Sequence, residues 1–186
     1  IPHTNNIAVA IGLPIYANQV VYNAIAWICN SHLHGLVAKQ FLAGQDLYYE
    51  PRWFKSWPRQ KMQQFTYQEH NIPLGDLIFD VGGVLVGFEI CEDAWVADRP
   101  AGLLSKEGVD VILNASASHF AFDQFETRRK IVEEGARSTD TAYIYSNLLG
   151  CEAGRIIYDG TVLIASGKLG ILAESSRFSF QDVILT

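Results

Sequence analysis

Cys91 has more chemistry open to it than any other side chain in this 186-residue sequence. It stands within Val81 to Trp95, VGGVLVGFEICEDAW, with Glu89 before it and Glu92 and Asp93 directly after. An ionised thiol can attack an amide carbonyl, expel the amine and leave a thioester for water to open. The flanking carboxylates oppose that ionisation, because acidic neighbours raise a thiol pKa above its free value of about 8.5. A reactive Cys91 therefore needs a cation nearby. The plain alternative is a buried cysteine beside surface acids, and this stretch alone leaves both open.

The element that carries Cys91 favours the reactive alternative. Val84, Leu85, Val86, Phe88 and Ile90 make a near-continuous apolar run, which predicts a strand buried on both faces. A strand that only fills a core more often ends in Gly, Asn or Pro. Cys91 instead falls at the carboxyl end, where α/β sheets hold nucleophiles and ligands. A second strand, Val109 to Leu113 in GVDVILNASASHF, closes on Asn114 and small residues. In a third stretch, Val37 to Trp57 (VAKQFLAGQDLYYEPRWFKSW), Lys39 follows an apolar run, and Glu50, Arg52 and Phe54 come after it.

Taken in order, GFEICEDAW, VILNASASHF, NLLGCEAGRIIYDG and the RFSFQDV ending resemble the nitrilase (carbon–nitrogen hydrolase) superfamily. Within it they are similar to the glutaminase domains of glutamine-dependent NAD+ synthetases, in their eukaryotic-like form, over nearly the whole chain. The resemblance implies an α/β fold, the nitrilase-type αββα sandwich. The opening IPHTNNIAVA has no initiator Met, so the expectation is a partial domain over residues 1–186 that lacks its N-terminal strand and helix. The implied activity is hydrolysis of glutamine to glutamate and ammonia through a thioester on Cys91. The ammonia would feed ATP-dependent conversion of deamido-NAD to NAD+.

The same resemblance assigns residues. Lys39 would lie beside the thiol, lower its pKa and stabilise the oxyanion of the tetrahedral intermediate. Glu50 matches a glutamate that supports the lysine; orienting Lys39 and pairing with Arg52 both remain open for it. The backbone N–H of Glu92, next after the nucleophile, is the natural oxyanion donor, since nucleophile turns aim it inward. Ser118 matches a substrate-contacting position and Ser116 does so less closely, with small-residue packing as its alternative. The family's general base is a glutamate upstream of IAVAIGLP, so it matches no residue here. Gln45 stands where bacterial members often carry a tyrosine. After Ser118 the first basic residue is Arg128, which leaves the contact to the α-carboxylate of glutamine unassigned. A Cys91–His119 pair, as in papain-like thiol hydrolases, is a further alternative.

No Walker lysine, G-x-G-x-x-G loop or SGG-type pyrophosphate loop is present, so no cofactor is expected in this domain. ATP and Mg are expected on a C-terminal synthetase domain downstream. His32 and His34 read as turn residues rather than metal ligands, because no Cys or carboxylate lies at ligand spacing. Two other functions compete: a stand-alone amidase, carbamoylase or nitrilase, and a non-catalytic assembly module.

Composition agrees with one compact domain: 49% hydrophobic and 18% charged residues, with a net charge of −6. The charged fraction is below the usual quarter or so, as if a partner or missing chain covered part of the surface. A homo-oligomer is also expected. The acidity, without a basic stripe, speaks against nucleic acid. No apolar run reaches the roughly eighteen residues of a membrane span. The three widely spaced cysteines argue for a reducing, cytoplasmic compartment.

Further strands are expected at Ile7 to Pro14, closed by Gly12 and Pro14, and at Val20 to Cys29, turning back into Leu36 to Lys39. Residues 43–73 read as a long aromatic loop, functional or interfacial. Helices are expected over Arg99 to Glu107 and Asp123 to Thr139, the second capped by Asp123. A strand at Tyr143 to Leu149 and a β-rich end with a turn at Asp159–Gly160 complete the chain.

Overall fold

The computed structural model describes residues 3–44, 48–152 and 156–181. The chain divides into two compact units, Ile1–Leu77 and Ile78–Thr186.

The first unit is a five-stranded sheet. Strands β1 (Ala8–Ala17), β2 (Val20–Cys29) and β3 (His32–Ala38) form an antiparallel meander. A short helix α1 (Glu50–Trp53) follows, then a hairpin of β4 (Met62–Tyr67) and β5 (His70–Gly75), with β5 parallel to β3. Each hairpin turns on two residues in the left-handed region: Asn18–Gln19, Asn30–Ser31 and Gln68–Glu69. Paired positive φ angles match the twist of the flanking strands. Alternate residues of β2 and β5 (Tyr22, Ala24, Ala26 and Ile28; Ile72 and Leu74) meet Leu36 and Trp57 in the core.

Two expectations fail here. Gly12 and Pro14 do not close β1, which continues to Ala17. Pro14 is tolerated because β1 is an edge strand, where its missing N–H costs no ladder bond. Residues 43–73 are not one long loop, since they contain α1, β4 and most of β5. Trp57 is a core residue whose ring meets Tyr22 edge-on at 4.8 Å and whose indole N–H donates to Lys61 O.

The second unit is a six-stranded sheet. It contains β6 (Phe79–Val81), β7 (Val84–Ile90), β8 (Val111–Ser116), β9 (Ala142–Asn147), β12 (Val162–Ser166) and β13 (Gly170–Glu174). The central strands β7, β8 and β9 are parallel, and the outer pairings are antiparallel. Strands β10 (Leu149–Cys151) and β11 (Ile157–Asp159) form a separate ribbon. Helices α2 (Ala101–Lys106) and α3 (Gln124–Thr139) cover one face, where Ala101, Leu104, Val132 and Ala136 pack on Ile112, Tyr143 and Leu163. Asp123 occupies the N-cap position of α3 with φ 66°, but its side chain makes no capping bond; its carbonyl takes the Thr127 N–H. Helix α2 fits down onto β7 because Gly87 has no side chain: a Cβ there would lie 2.9 Å from both methyls of Leu104. Among the described residues, no helix is long and apolar enough to cross a membrane.

Candidate active site

The parallel arrangement of β7, β8 and β9 brings their carboxyl ends side by side. Ile90 pairs with Ala115, and Ser116 pairs with Asn147. Cys91 follows Ile90 directly and opens a single 3₁₀ turn, Cys91–Ala94, with φ 48°. A non-glycine residue in the left-handed region carries strain that the surroundings must support. Part of that support is visible: the buried Asp93 carboxylate accepts the Ile90 N–H at 2.9 Å and closes the turn on itself. The Cys91 side chain is half-buried.

The acids around the thiol are largely committed elsewhere. Glu89 is fully buried on the helix-covered face and accepts from Arg99 Nη2 (2.5 Å), Arg99 Nε (3.1 Å), Tyr143 Oη (2.6 Å) and the Ala101 N–H (2.8 Å). Burial works against the Arg99 charge, yet the bonds and charges of Glu89 and Tyr143 together outweigh it and leave the guanidinium above the ordinary arginine range. Burial, then the Glu89 charge, pushes the Tyr143 phenol well above its usual value, so Tyr143 stays a donor. The expected crowd of carboxylates thus resolves into a core ion pair (Glu89), a turn lock (Asp93) and Glu92, which is half-buried.

Both serines rest on buried polar chains. Ser116 Oγ donates to Asn114 Oδ1 at 2.6 Å, and Asn114 Nδ2 donates to Tyr143 Oη at 3.0 Å, tying Ser116 to the Glu89 group. Ser118, also buried, is held by its backbone: its N–H donates to Asn147 Oδ1 (2.9 Å) and its C=O accepts from Asn147 Nδ2 (3.0 Å). Arg128, the basic residue nearest after Ser118, is fully buried and grips Asp159 with both terminal nitrogens, at 2.9 and 2.7 Å. Asp159 is therefore not a surface turn residue. Burial alone would raise its pKa, but the bonds from Arg128 and Asn147 outweigh this and hold it at about 2.

In the first unit, Lys39 follows β3 and is buried, with its ammonium 2.5 Å from Glu50 Oε2. Glu50 opens α1 and also accepts from the Ala43 N–H (2.6 Å) and Asn23 Nδ2 (2.8 Å). Glu50 is thus joined to Lys39, while the Arg52 guanidinium lies over the Trp53 ring, 5.7 Å from its centroid. His32 and His34 contact the backbone carbonyls of Asn30 and Cys29. Gln45 lies outside the described residues, as do 153–155 of the NLLGCEAGRIIYDG motif.

The carbon-nitrogen hydrolase family model matches residues 1–184. The chain belongs to the carbon-nitrogen hydrolase family. It is 31% identical over 192 residues to the glutamine-dependent NAD(+) synthetase of Rattus norvegicus, a match covering 98% of this chain and 26% of the relative. The Homo sapiens protein of the same name matches at 31% identity, over 98% of this chain and 27% of its own length. The chain thus spans about a quarter of the curated relatives it matches. A crystal structure of the Cytophaga hutchinsonii glutamine-dependent NAD(+) synthetase superposes with a TM-score of 0.86 at 40% identity, covering 95% of this chain and 29% of that one. A carbon-nitrogen hydrolase from Helicobacter pylori G27 shares the fold at 17% identity and a TM-score of 0.74, over 92% of this chain and 58% of its own. The α/β architecture of this carbon-nitrogen hydrolase chain is thus that of nitrilase-superfamily structures.

Sequence reasoning missed the supporting residues of this site. Asn147, Asp159 and the buried role of Arg128 were not anticipated, nor was the Glu89–Arg99–Tyr143 group. One signal was available: the spacing of Tyr143, Tyr145 and Asn147 puts them on one face of β9.

Proposed function

We propose that this chain is the glutaminase domain of a glutamine-dependent NAD+ synthetase. The observation that carries the reading is Cys91, half-exposed in a strained turn at the carboxyl end of a central parallel strand. The similarity to the Cytophaga hutchinsonii enzyme supports the choice of glutamine over other amides. The Cys91 thiolate adds to the side-chain carboxamide carbon of glutamine and puts negative charge on its oxygen. Lys39 supplies the cation that the thiolate and this oxyanion require, and the Glu92 N–H serves as an oxyanion donor. Collapse breaks the C–N bond, ammonia leaves with the proton from the thiol, and a thioester remains. Water opens it to glutamate and restores the thiol. No residue described here is assigned to the base that carries the proton.

Glu50 positions Lys39, and Ser118, with Ser116 beside it, contacts the bound glutamine. The ammonia passes to a synthetase domain following this one, where ATP and Mg drive the conversion of deamido-NAD to NAD+. Among the described residues Cys29, Cys91 and Cys151 form no disulfide, which supports a reducing, cytoplasmic setting.

The decisive experiment uses the complete protein. Cys91→Ala should abolish glutamine-dependent NAD+ formation and leave ammonia-dependent formation intact. An electrophilic glutamine analogue should label Cys91 and spare Cys29 and Cys151 in peptide mapping. Glutamate release by the Ala variant at near-normal rates would overturn the assignment.

A further inference from the structure

We infer that Asn147 is the positioning residue for the glutamine-contacting loop after β8, acting through the backbone of Ser118. The inference rests on the glutaminase reading and extends it to a residue that does no chemistry itself. Asn147 Oδ1 receives the Ser118 N–H, and Asn147 Nδ2 gives one hydrogen to Ser118 O and the other to Asp159 Oδ1, at 2.8 Å. The amide orientation follows from chemistry. The Asp159 carboxylate only accepts, so it must face the NH2 group, and the oxygen is left for the Ser118 N–H.

Asp159 is fixed in turn by the fork of Arg128 and by the N–H and hydroxyl of Thr161, at 3.2 and 3.0 Å. Arg128, Asp159, Asn147, Thr161 and Ser118 are all buried. A buried ion pair gives up much of its Coulomb energy to desolvation and is weak support for stability alone. Here it ends a chain of bonds at the backbone of one loop residue. Two further backbone bonds hold the same loop: Leu148 N–H to Ser116 O at 2.9 Å and Phe120 N–H to Ile157 O at 2.7 Å. Asn147 is the member of the chain that grips both the N–H and the C=O of Ser118, which fixes the rotation of that residue as well as its place.

In the complete protein, Asn147→Asp keeps the shape and the acceptor for the Ser118 N–H. It removes the donor to Ser118 O and sets a second carboxylate against Asp159. The KM for glutamine should rise about tenfold or more with kcat within about threefold, the pattern of lost uniform binding. Alkylation of Cys91 by iodoacetamide, which does not need the glutamine contacts, should stay within twofold. The double variant Asn147→Asp with Asp159→Asn removes the clash of carboxylates but still offers no donor to Ser118 O. It should regain thermal stability while the KM stays high. Unchanged KM in the single variant, or recovery of KM together with stability in the double, would show a purely structural role and overturn the inference. If Asn147→Asp does not fold, the double variant decides by its KM. The parent protein, assayed alongside, separates the two failures: no glutamate release from glutamine by the parent would overturn the glutaminase reading itself.

Discussion

The Lys39–Glu50 pair is asymmetric, and the asymmetry separates chemistry from stability. Lys39 is almost fully buried, whereas the Glu50 side chain is 18% exposed and has two further donors in Ala43 N–H and Asn23 Nδ2. Removing the lysine leaves a carboxylate that keeps partners and some solvent. Removing the glutamate leaves a buried ammonium without its ion-pair partner among the described residues. Lys39→Ala should therefore lower glutamine hydrolysis by about a hundred- to a thousandfold, the usual cost of an oxyanion-stabilising group. Its effect on the urea midpoint should be modest. Glu50→Ala should cost about 3–5 kcal/mol of unfolding free energy, the range for breaking a buried pair from one side. Lys39→Arg should rescue poorly, since a planar guanidinium does not fit the place of a compact ammonium. Equal stability losses in the two alanine variants would show that the pair is not organised around a buried cation.

The seating of α2 on β7 governs the Cys91 strand from below. The α2 N–H of Ala101 bonds to Glu89, two residues before Cys91, and Leu104 of the same helix lies over Gly87. Gly87→Val would drive a branched side chain into both Leu104 methyls and lift the helix, at a cost of about 1–3 kcal/mol. Leu104→Ala in the same chain should recover part of that loss by opening space. A double-mutant cycle in urea that gives no coupling would remove this contact from the account. Glu89, Arg99 and Tyr143 also show where sequence legibility stops. The β2–β3 hairpin follows from β-branched and aromatic content with a polar turn, and α3 from its one apolar face. The continuous apolar run of β7 records burial and was enough to place Cys91 at a strand end. Buried polar groups give no such signal: Glu89 and Arg128 find their ion-pair partners 10 and 31 residues away in the sequence. The β1–β2 and β4–β5 turns were similarly muted, since Asn18–Gln19 and Gln68–Glu69 adopt left-handed φ without glycine. Lys39 and Glu50 could be named from motif resemblance, but their mutual contact depends on how β3 and α1 fold back on each other.

At the scale of the whole molecule, these buried groups set the limits of pH stability. Asp159 falls from 3.8 to about 2 because the bonds from Arg128 and Asn147 outweigh the opposing effect of its burial. Between those values the unfolded chain binds a proton that the native protein refuses. Stability from Asp159 is therefore complete above about pH 4 and is lost as pH falls toward 2. Tyr143 and Tyr145 act at the other end. Burial raises both phenols, and for Tyr145 the charge of Cys91 adds to it, against Arg128 and Ser116, which pull it down. Among the described residues, the buried Tyr145 hydroxyl has no hydrogen-bond partner within bonding geometry. Above about pH 10 the unfolded chain releases both phenolic protons while the native chain keeps them, so stability falls as pH rises. Each retained proton steepens that fall by about 1.4 kcal/mol per pH unit. Tyr145→Phe removes one of them without breaking a formed hydrogen bond. It should match the parent in urea unfolding at pH 7 and lose stability less steeply between pH 10 and 12. Asp159→Asn should flatten the acid limb between pH 4 and 2 in the same measurement, whatever it costs at neutral pH. Curves that stay parallel to the parent at both extremes would show that the buried network does not control proton uptake on unfolding.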